Sequence, residues 1–289
     1  MITISIHCFP HEIDNYVRVI KNLNECALHT NDKDNVEILS CMNTNESLVD
    51  WGGASPAEIE QVNTTFRTTS EQSIIKCTES ITNSVNFLGV NEHRRNTIDR
   101  ASSTDIIIFL DCDLHFNRNI LGHLELATTK ISNFLDDYII TPNTVRLWDK
   151  TWDSIVHPDY LSHPLGMFKT INPTEVVDRD YGDVKLTPNF TFKWGGGWFN
   201  AISASLLKRV HIPKSFRGYG PDDTFIMECC KILKRKGHRV QQYILNNVVV
   251  CEDRNIPKGT MSLKADIPNF REQSTEKFHT ELNNFLRKL

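Results

Sequence analysis

The stretch Asp105-Ile106-Ile107-Ile108-Phe109-Leu110-Asp111-Cys112-Asp113 decides which fold this sequence predicts. Its apolar run is short, rich in β-branched residues and entered through polar ones, which is typical of a strand buried on both faces in a mostly parallel sheet. Because side chains alternate along a strand, Asp111 and Asp113 project to the same side at its carboxyl end, where ligands of open α/β sheets bind. Paired carboxylates suit Mg²⁺ or Mn²⁺, although this pattern alone equally allows two solvated acidic residues.

Strand-like and helix-like patterns alternate on the amino-terminal side of this stretch. The predicted strands are 2–6 and 36–40, the predicted helices are 13–28, 73–88 and 92–100, and residues 44–73 are predicted to be loops with a short helix. This repeated alternation predicts a doubly wound α/β sheet with right-handed crossovers.

The carboxyl-terminal half predicts helices at 120–135, 203–210 and 222–236, and strands at 138–141 and 240–250. Residues 143–189 form a long irregular stretch, which inside a compact domain is typical of a binding loop or lid. An amphipathic helix over 271–289 carries an apolar stripe that predicts docking on the protein's own core, with membrane or partner binding as the alternative. The stripe consists of Phe278, Leu282, Phe285 and Leu289.

Length and composition are those of an ordinary globular chain. The 289 residues carry a formal net charge of −4 without a basic block, so no nucleic-acid-binding surface is predicted. No run of about 18 or more apolar residues is present, so no transmembrane segment is expected. A strand pattern follows Met1 directly, which argues against a signal peptide. The eight cysteines lack close pairing patterns, which predicts reduced thiols in a cytoplasmic protein.

A second acidic pair, Asp222-Asp223, follows the turn Gly218-Tyr219-Gly220-Pro221 at the predicted start of a helix. Free backbone N–H groups and the helix dipole favour carboxylates there, so one interpretation is an N-cap at Asp222 and a first-turn acid at Asp223. The other interpretation is catalytic, because a carboxylate fixed in this way can act as a general base toward a hydroxyl.

Several motifs follow one another in a particular order along the chain. They are His7-Cys8-Phe9-Pro10, Arg94-Arg95-Asn96-Thr97-Ile98, Asp111-Cys112-Asp113, Trp194-Gly195-Gly196-Gly197 with Phe199 and Ala201, and the segment from Phe216 to Thr224. Together they resemble GT-A glycosyltransferases, in the style of the inverting family 2 enzymes and, in the later half, of the β-1,4-galactosyltransferases. The resemblance implies a GT-A type doubly wound, mostly parallel sheet with a smaller acceptor-side region and a C-terminal helix. It divides the chain into a nucleotide-sugar-binding half (1–115), an acceptor-binding and catalytic half (116–255) and a helical tail (256–289).

The resemblance also implies an activity and the residues that carry it. The activity is inverting, metal-dependent transfer from a nucleotide-diphosphate sugar, with a UDP-sugar as the expected donor, to a hydroxyl of a glycan, lipid-linked or protein acceptor. Asp223 is the implied catalytic base and Asp222 its partner, while Mn²⁺ or Mg²⁺ would be held by Asp113, Asp111 and Glu252. The implied donor contacts are His7, Phe9, Pro10, Arg95, Asp111, Trp194, Gly195 and Gly196. The candidate acceptor contacts are Trp148, Trp152 and His157, and peripheral membrane contact is allowed.

Some positions depart from the family pattern. A His often supplies a third metal ligand after the last strand, but here Cys251-Glu252 stands there, so Glu252 or Cys251 takes that place or the third ligand is absent. Cys41-Met42-Asn43 stands where some relatives place an acid that contacts uracil, which leaves the donor base open. Arg95 suits two tasks equally, stabilising phosphates or pairing with a nearby aspartate, Asp99 or Asp105.

Other functions share parts of this pattern. A haloacid-dehalogenase-type phosphatase also ends a strand in Asp-x-Asp, but it wants Thr or Val next, whereas Leu114-His115 follow here. A sugar nucleotidyltransferase needs a Gly-rich basic loop after the first strand, which His7-Cys8-Phe9-Pro10 does not supply. A non-catalytic carbohydrate-binding protein with a degenerate transferase fold remains the alternative, because it would keep the aromatic residues without needing both acidic pairs.

Overall fold

The computed structural model describes residues 1–44, 55–83, 89–145, 183, 185–192, 199–216, 221–252 and 270–289, with the backbone alone described for 143–145, 246–249, 251–252 and 270–274. The strands are β1 (Ile2–Cys8), β2 (Val36–Asn43), β3 (Lys76–Thr82), β4 (Ile106–Asp111), β5 (Leu114–Phe116), β6 (Asp137–Val145), β7 (Leu186–Asn189), β8 (Phe199–Ser203) and β9 (Val240–Glu252). The helices are α1 (Ile13–Ala27), α2 (Pro56–Glu71), α3 (Val90–Arg100), α4 (Ile120–Ser132), α5 (Ala204–Val210), α6 (Asp222–Arg235) and α7 (Phe270–Lys288).

The described strands form one sheet in the order β3-β2-β1-β4-β8-β6-β9-β5, with β7 beside β9. β1 pairs in parallel with β2 and β4, and β2 with β3, whereas β8 runs antiparallel to β4 and β6. β9 is parallel to β6, so among the described strands β5, β7 and β8 run against the rest. The predicted mostly parallel α/β sheet is therefore confirmed.

Helices cover both faces of this sheet. Successive residues of a strand point to opposite sides, so an apolar strand such as β4 presents apolar side chains to helices on each face. On one face, Ile108 belongs to the same apolar cluster as Ile20 of α1. On the other face, Ile107 and Phe109 cluster with Ile98 of α3 and with residues of α5 and α6. The strand β4 is buried on both faces, as its sequence predicts, and the sheet is doubly wound.

The predicted helix over 73–88 is wrong in its central part, because residues 76–82 form the edge strand β3. Cys77 and Ile81 both pack against the core on the α1 face. Their spacing of four residues fits one face of a helix and one face of a strand equally well, so the local pattern could not distinguish them. Parallel pairing along β2 decides in favour of the strand.

Two further elements differ from the sequence prediction. Residues 44–73, predicted to be loops with a short helix, contain the long helix α2, whose buried side chains are Phe66 and Ser70. So few apolar anchors leave little periodicity, and the start of the helix is set instead by Ser55 and Glu58, which cap each other's backbone N–H. Residues 199–202, given no element by the sequence, and Ser203, predicted to begin a helix, form β8, which is buried along its whole length between β4 and β6.

The C-terminal helix α7 packs on the protein's own core, as its apolar stripe predicts. Phe285 is buried, and Phe278 and Leu282 pack against the same cluster. Both phenylalanine rings meet Phe225 of α6 edge-on, with ring centroids 6.3 and 6.4 Å apart. Leu289, the last member of the stripe, stays exposed. Within the described part of the chain, no helix has the length and apolarity to span a bilayer.

Candidate functional site

The carboxyl ends of β1 and β4 form the edge at which the predicted site lies. His7 of β1 stands opposite Asp111 of β4 in the parallel register. The chain leaves β1 into α1 on one face of the sheet and enters β4 from α3 on the other face. In open α/β sheets such a switch in the direction of the crossovers opens a crevice at the carboxyl ends of the two strands, where ligands bind.

A buried arginine joins the two acidic pairs of the sequence. Arg94 of α3 donates one hydrogen bond to Asp222 Oδ2 at 2.7 Å and another to Asp111 Oδ1 at 3.1 Å. Its guanidinium also lies over the Phe109 ring, 5.0 Å from the centroid. Burial by itself would lower the pKa of Arg94, but the carboxylates of Asp222 and Asp111 raise it above its ordinary value, so the side chain stays charged. Asp111 and Asp222, from the two halves of the chain, thus meet at the guanidinium group of Arg94.

The acids of the second pair occupy different environments. The helix α6 begins at Asp222 with Pro221 as its N-cap, so the N-cap interpretation of Asp222 is wrong. Asp222 is 4% exposed and turned toward Arg94, whereas Asp223 is half-buried and its Oδ1 accepts the Thr224 N–H at 2.6 Å. Arg94 also interacts electrostatically with Asp223. One acid is therefore locked in an ion pair, and its neighbour lies nearer to solvent at the same helix end.

Arg95, predicted as a donor contact, is turned away from this edge. Its guanidinium donates to the carbonyl oxygens of Pro213 and Phe216 at 2.9 and 3.1 Å and pairs with Glu92 at 3.0 Å. It pairs with neither of the aspartates considered for it from the sequence. The next residue on a helix is rotated by about 100°, so Arg94 and Arg95 leave α3 on different faces. The structure places Arg94, not Arg95, beside Asp111.

The loop after β1 presents an acid that the sequence interpretation missed. Phe9 and Pro10 are buried, and Pro10 starts a 3₁₀ turn that ends at Glu12. Glu12 Oε2 accepts the Phe9 N–H at 3.0 Å. Burial and, to a smaller extent, the carboxylates of Asp113 and Asp111 together raise the pKa of Glu12 to about 8, against the lowering effect of that hydrogen bond. Three carboxyl groups therefore share this edge and repel one another when ionised.

His7 supplies a neutral polar ring in the crevice. Its ring lies 4.7 Å from that of Phe9 and 6.5 Å from that of His93, measured between centroids. Burial lowers the pKa of His7 well below its ordinary value, and His93 and Arg94 lower it further. Both ring nitrogens are buried without a hydrogen-bond partner among the described residues. Such nitrogens favour a polar ligand, since unsatisfied buried groups are costly.

The predicted metal ligands converge in register as far as they are described. Asp111 ends β4, Asp113 follows two residues later, and the β9 backbone at Glu252 is opposite Leu114, the residue after Asp113. The side chains of Glu252 and Cys251 lie outside the described residues. Hard carboxylate oxygens suit the expected Mn²⁺ or Mg²⁺. Among the described residues, the three-membered group with ligand atoms mutually within 4.8 Å is a different one, Cys8, Glu12 and Cys112.

Other predicted residues lie outside the described ranges. Residues 193–198 are among them, and Phe199, the next residue, pairs with Leu110 at the carboxyl end of β4. The chain therefore re-enters the sheet at the edge that carries Asp111. The predicted residues outside the described ranges are Trp148, Trp152, His157, Trp194, Gly195 and Gly196.

The face of α3 that carries Arg94 is set by a contact between residues that are distant in the chain. Thr97 of α3 shares a hydrogen bond of 3.0 Å with Ser5 of β1, which fixes the face of α3 that meets the sheet. Arg94 precedes Thr97 by three residues and so lies on that face, one turn nearer the carboxyl edge. Asn91, one turn earlier again, is fully buried, and its side-chain amide has no hydrogen-bond partner within the described part of the chain. The positions of both side chains follow from the rotation of α3 that the contact between Ser5 and Thr97 fixes.

Comparisons with known proteins give likenesses of structure only. No protein-family model matches the chain, and no curated protein matches it in sequence. The chain is similar to TarS from S. aureus at a TM-score of 0.47 and 13% identity, over 98% of this chain and 71% of that one. It is similar to GalNAc-T7, solved with UDP, GalNAc and Mn²⁺, at a TM-score of 0.46 and 10% identity, over 89% and 44% of the two chains. It is also similar to a CMP:2-keto-3-deoxy-manno-octonic acid synthetase complexed with CTP, at a TM-score of 0.41 and 12% identity, over 91% of this chain and 97% of that one. At these identities function has to be inferred from the residues of the site.

Proposed function

We propose that this protein is an inverting, metal-dependent glycosyltransferase that moves a sugar from a nucleotide-diphosphate sugar, with a UDP-sugar as the expected donor, to a hydroxyl of a glycan, lipid-linked or protein acceptor. The observation that carries the proposal is the Arg94 bridge from Asp111 to Asp222. It joins a donor-side acid at the end of β4 to the acidic start of α6, two features separated by 111 positions in sequence (222 − 111). A purely structural N-terminal acid would not require a buried cation shared with the strand end.

The donor is expected to bind in the crevice between β1 and β4. Asp111 and Asp113 would hold Mn²⁺ or Mg²⁺, which when bound neutralises the diphosphate. His7 and Asn91 have buried polar atoms without partners among the described residues and would donate or accept hydrogen bonds to the donor. Arg94 keeps Asp111 oriented and adds a positive charge beside it.

The proposed reaction is a single displacement with Asp223 as general base. Asp223 takes the proton of the acceptor hydroxyl while that oxygen forms a bond to the anomeric carbon. The bond from that carbon to the diphosphate oxygen breaks, and the nucleoside diphosphate leaves with its electron pair. Attack opposite to the leaving group inverts the anomeric configuration. The ion pair with Arg94 fixes Asp222 at the start of α6, and the half-buried Asp223 follows it in the first turn of that helix.

The test combines donor binding with turnover. Purified protein is screened against UDP- and GDP-sugars by thermal shift, with Mn²⁺, with Mg²⁺ and with EDTA, because a specific ligand raises the melting temperature by mass action. Release of the nucleoside diphosphate is then measured for the stabilising donor. Asp223→Asn should lower kcat by about 10²- to 10⁴-fold while the donor-induced shift persists. Asp14→Asn, on the exposed face of α1, serves as the matched control and should change neither.

The outcomes separate the transferase from the non-catalytic alternative. A donor-dependent shift that requires metal, together with turnover lost in Asp223→Asn, supports the proposal. Binding of glycans without any turnover, unchanged by Asp223→Asn, favours the degenerate carbohydrate-binding protein. Turnover that survives Asp223→Asn would remove Asp223 from its assigned role.

A further inference from the structure

A cluster of two thiols and a carboxyl lies on the α1 face of the edge, across β1 and β4 from Arg94. Because His7 is opposite Asp111 in the parallel register, Cys8 and Cys112 follow as the next residues on adjoining segments. The two sulfur atoms and a Glu12 carboxylate oxygen all lie within 4.8 Å of one another. Cys8 and Cys112 are 0% and 2% exposed, and Glu12 is half-buried.

We propose that Cys8, Glu12 and Cys112 form a binding site for a thiophilic divalent cation, for which Zn²⁺ is the natural probe. This site is separate from the carboxylate site expected to hold Mn²⁺ or Mg²⁺, and it does not depend on the proposed transferase activity. Three protein ligands leave one position for water or another exchangeable ligand, as in zinc sites that are not purely structural.

The donor set selects the metal. Thiolate sulfur is a soft ligand that favours Zn²⁺, whereas Mg²⁺ and Mn²⁺ prefer carboxylate and water oxygen. In the metal-free protein each thiol donates to a main-chain carbonyl, Cys8 to Phe9 O at 3.1 Å and Cys112 to His7 O at 3.3 Å. Binding would break both S–H bonds and the O–H bond of protonated Glu12, release the protons to the buffer, and form two Zn–S bonds and one Zn–O bond. The Phe9 N–H, which donates to Glu12 Oε2, orients the carboxylate as an outer partner of the site.

The position of the cluster links it to the neighbouring acids. Cys112 stands between Asp111 and Asp113, and alternation sends its side chain to the opposite face of the sheet. A cation bound by Cys112 and Glu12 would therefore fix the 3₁₀ turn after β1 to the turn after β4. Since Asp111 and Asp113 flank the bound cysteine, occupancy of the soft site would restrain both carboxylates without using either as a ligand.

The test uses the full chain, stripped of metal with a chelator and titrated with Co²⁺, whose thiolate complexes absorb through sulfur-to-cobalt charge transfer. The wild type should show the band with saturation at one equivalent and lose it when Zn²⁺ is added. Cys8→Ser with Cys112→Ser should abolish the band. Cys229→Ser with Cys230→Ser removes two adjacent buried thiols of α6 and should leave the band unchanged.

Glu12→Gln guards the test against misfolding of the double cysteine variant. Loss of a direct ligand should weaken Zn²⁺ by about tenfold or more, since even outer partners of metal ligands are worth about that much. Absence of the charge-transfer band in the wild type overturns the proposal, whatever the variants do. So does a band that persists in the folded Cys8→Ser, Cys112→Ser protein, or Zn²⁺ affinity that is unchanged in Glu12→Gln.

Discussion

Replacing Arg94 by methionine removes the cation between Asp222 and Asp111 while it keeps much of the apolar stem. The two contacts contribute very unequally. The Asp111 side chain is 38% exposed, so its pair with Arg94 is worth about 0–1 kcal/mol. The Asp222 side chain is 6% exposed, and removing one partner of such a buried pair typically costs about 3–5 kcal/mol, because the remaining charge is left without compensation.

The expected total loss for Arg94→Met is therefore about 3–5 kcal/mol in the free energy of unfolding, dominated by Asp222. For a chain of this size about 1 kcal/mol corresponds to roughly 2 °C in melting temperature, so the midpoint should fall by roughly 6–10 °C. Urea unfolding of the ligand-free protein, followed by circular dichroism, gives the free energy directly.

Two further variants show whether the buried pair is the cause. Asp222→Asn combined with Arg94→Met removes both charges, so the double variant should be more stable than Arg94→Met alone, with a coupling of about 1 kcal/mol or more. Lys231→Met, on α6, breaks a 2.6 Å contact with Glu228 between side chains that are 30% and 31% exposed, and should cost less than about 1 kcal/mol. A loss for Arg94→Met no larger than that control, or strict additivity in the cycle, would refute the argument.

Three smaller predictions follow from local structure. Burial and the nearby aspartates raise the pKa of Glu12 to about 8, so the folded protein binds more protons than the unfolded chain. The metal-free wild type should therefore lose stability as the pH rises from about 5 to about 8.5, and Glu12→Gln should lose less. Thermal melts across that pH range will measure the difference. Gly122→Ala would place a Cβ 2.8 Å from the carbonyl oxygen of His29. The overpacking cost of about 1–3 kcal/mol should exceed the gain of up to about 1 kcal/mol in helix propensity, so urea unfolding should show a net loss of stability. Ser55→Ala removes the reciprocal cap with Glu58 at the start of α2 and should cost about 1 kcal/mol, whereas Ser55→Asp should restore most of it in the same unfolding assay.

Elements whose pattern is local were predictable from the sequence. The strand β4 was recognised because a run of apolar β-branched residues can be buried on both faces only in a covered sheet. The helices α1 and α6 were recognised to within a residue or two of their ends for the same kind of reason. Where a local pattern fits two structures the prediction failed, as at β3, where a four-residue spacing fits both a strand face and a helix face.

The acids of the proposed site were also selected from the sequence, because Asp111 and Asp113 follow a strand whose carboxyl end is a ligand-binding edge, and Asp222 and Asp223 begin a helix, where carboxylates are favoured. Their mutual arrangement could not be selected in that way. Arg94 and Arg95 are adjacent and chemically identical, and which of them meets Asp111 depends on how α3 is rotated against β1, a rotation set by contacts such as that between Ser5 and Thr97.

The sequence alone therefore determined the doubly wound sheet, the strand that ends in Asp111 and the helix that begins at Asp222, because hydrophobic periodicity and helix-end chemistry act over a few neighbouring residues. The tertiary structure decided that β8 lies between β4 and β6, that Arg94 rather than Arg95 joins the acidic pairs, and that Glu12 meets Cys8 and Cys112. These facts depend on contacts between residues far apart in the chain. Such contacts exist only after the sheet has formed and brought the strand ends to one edge.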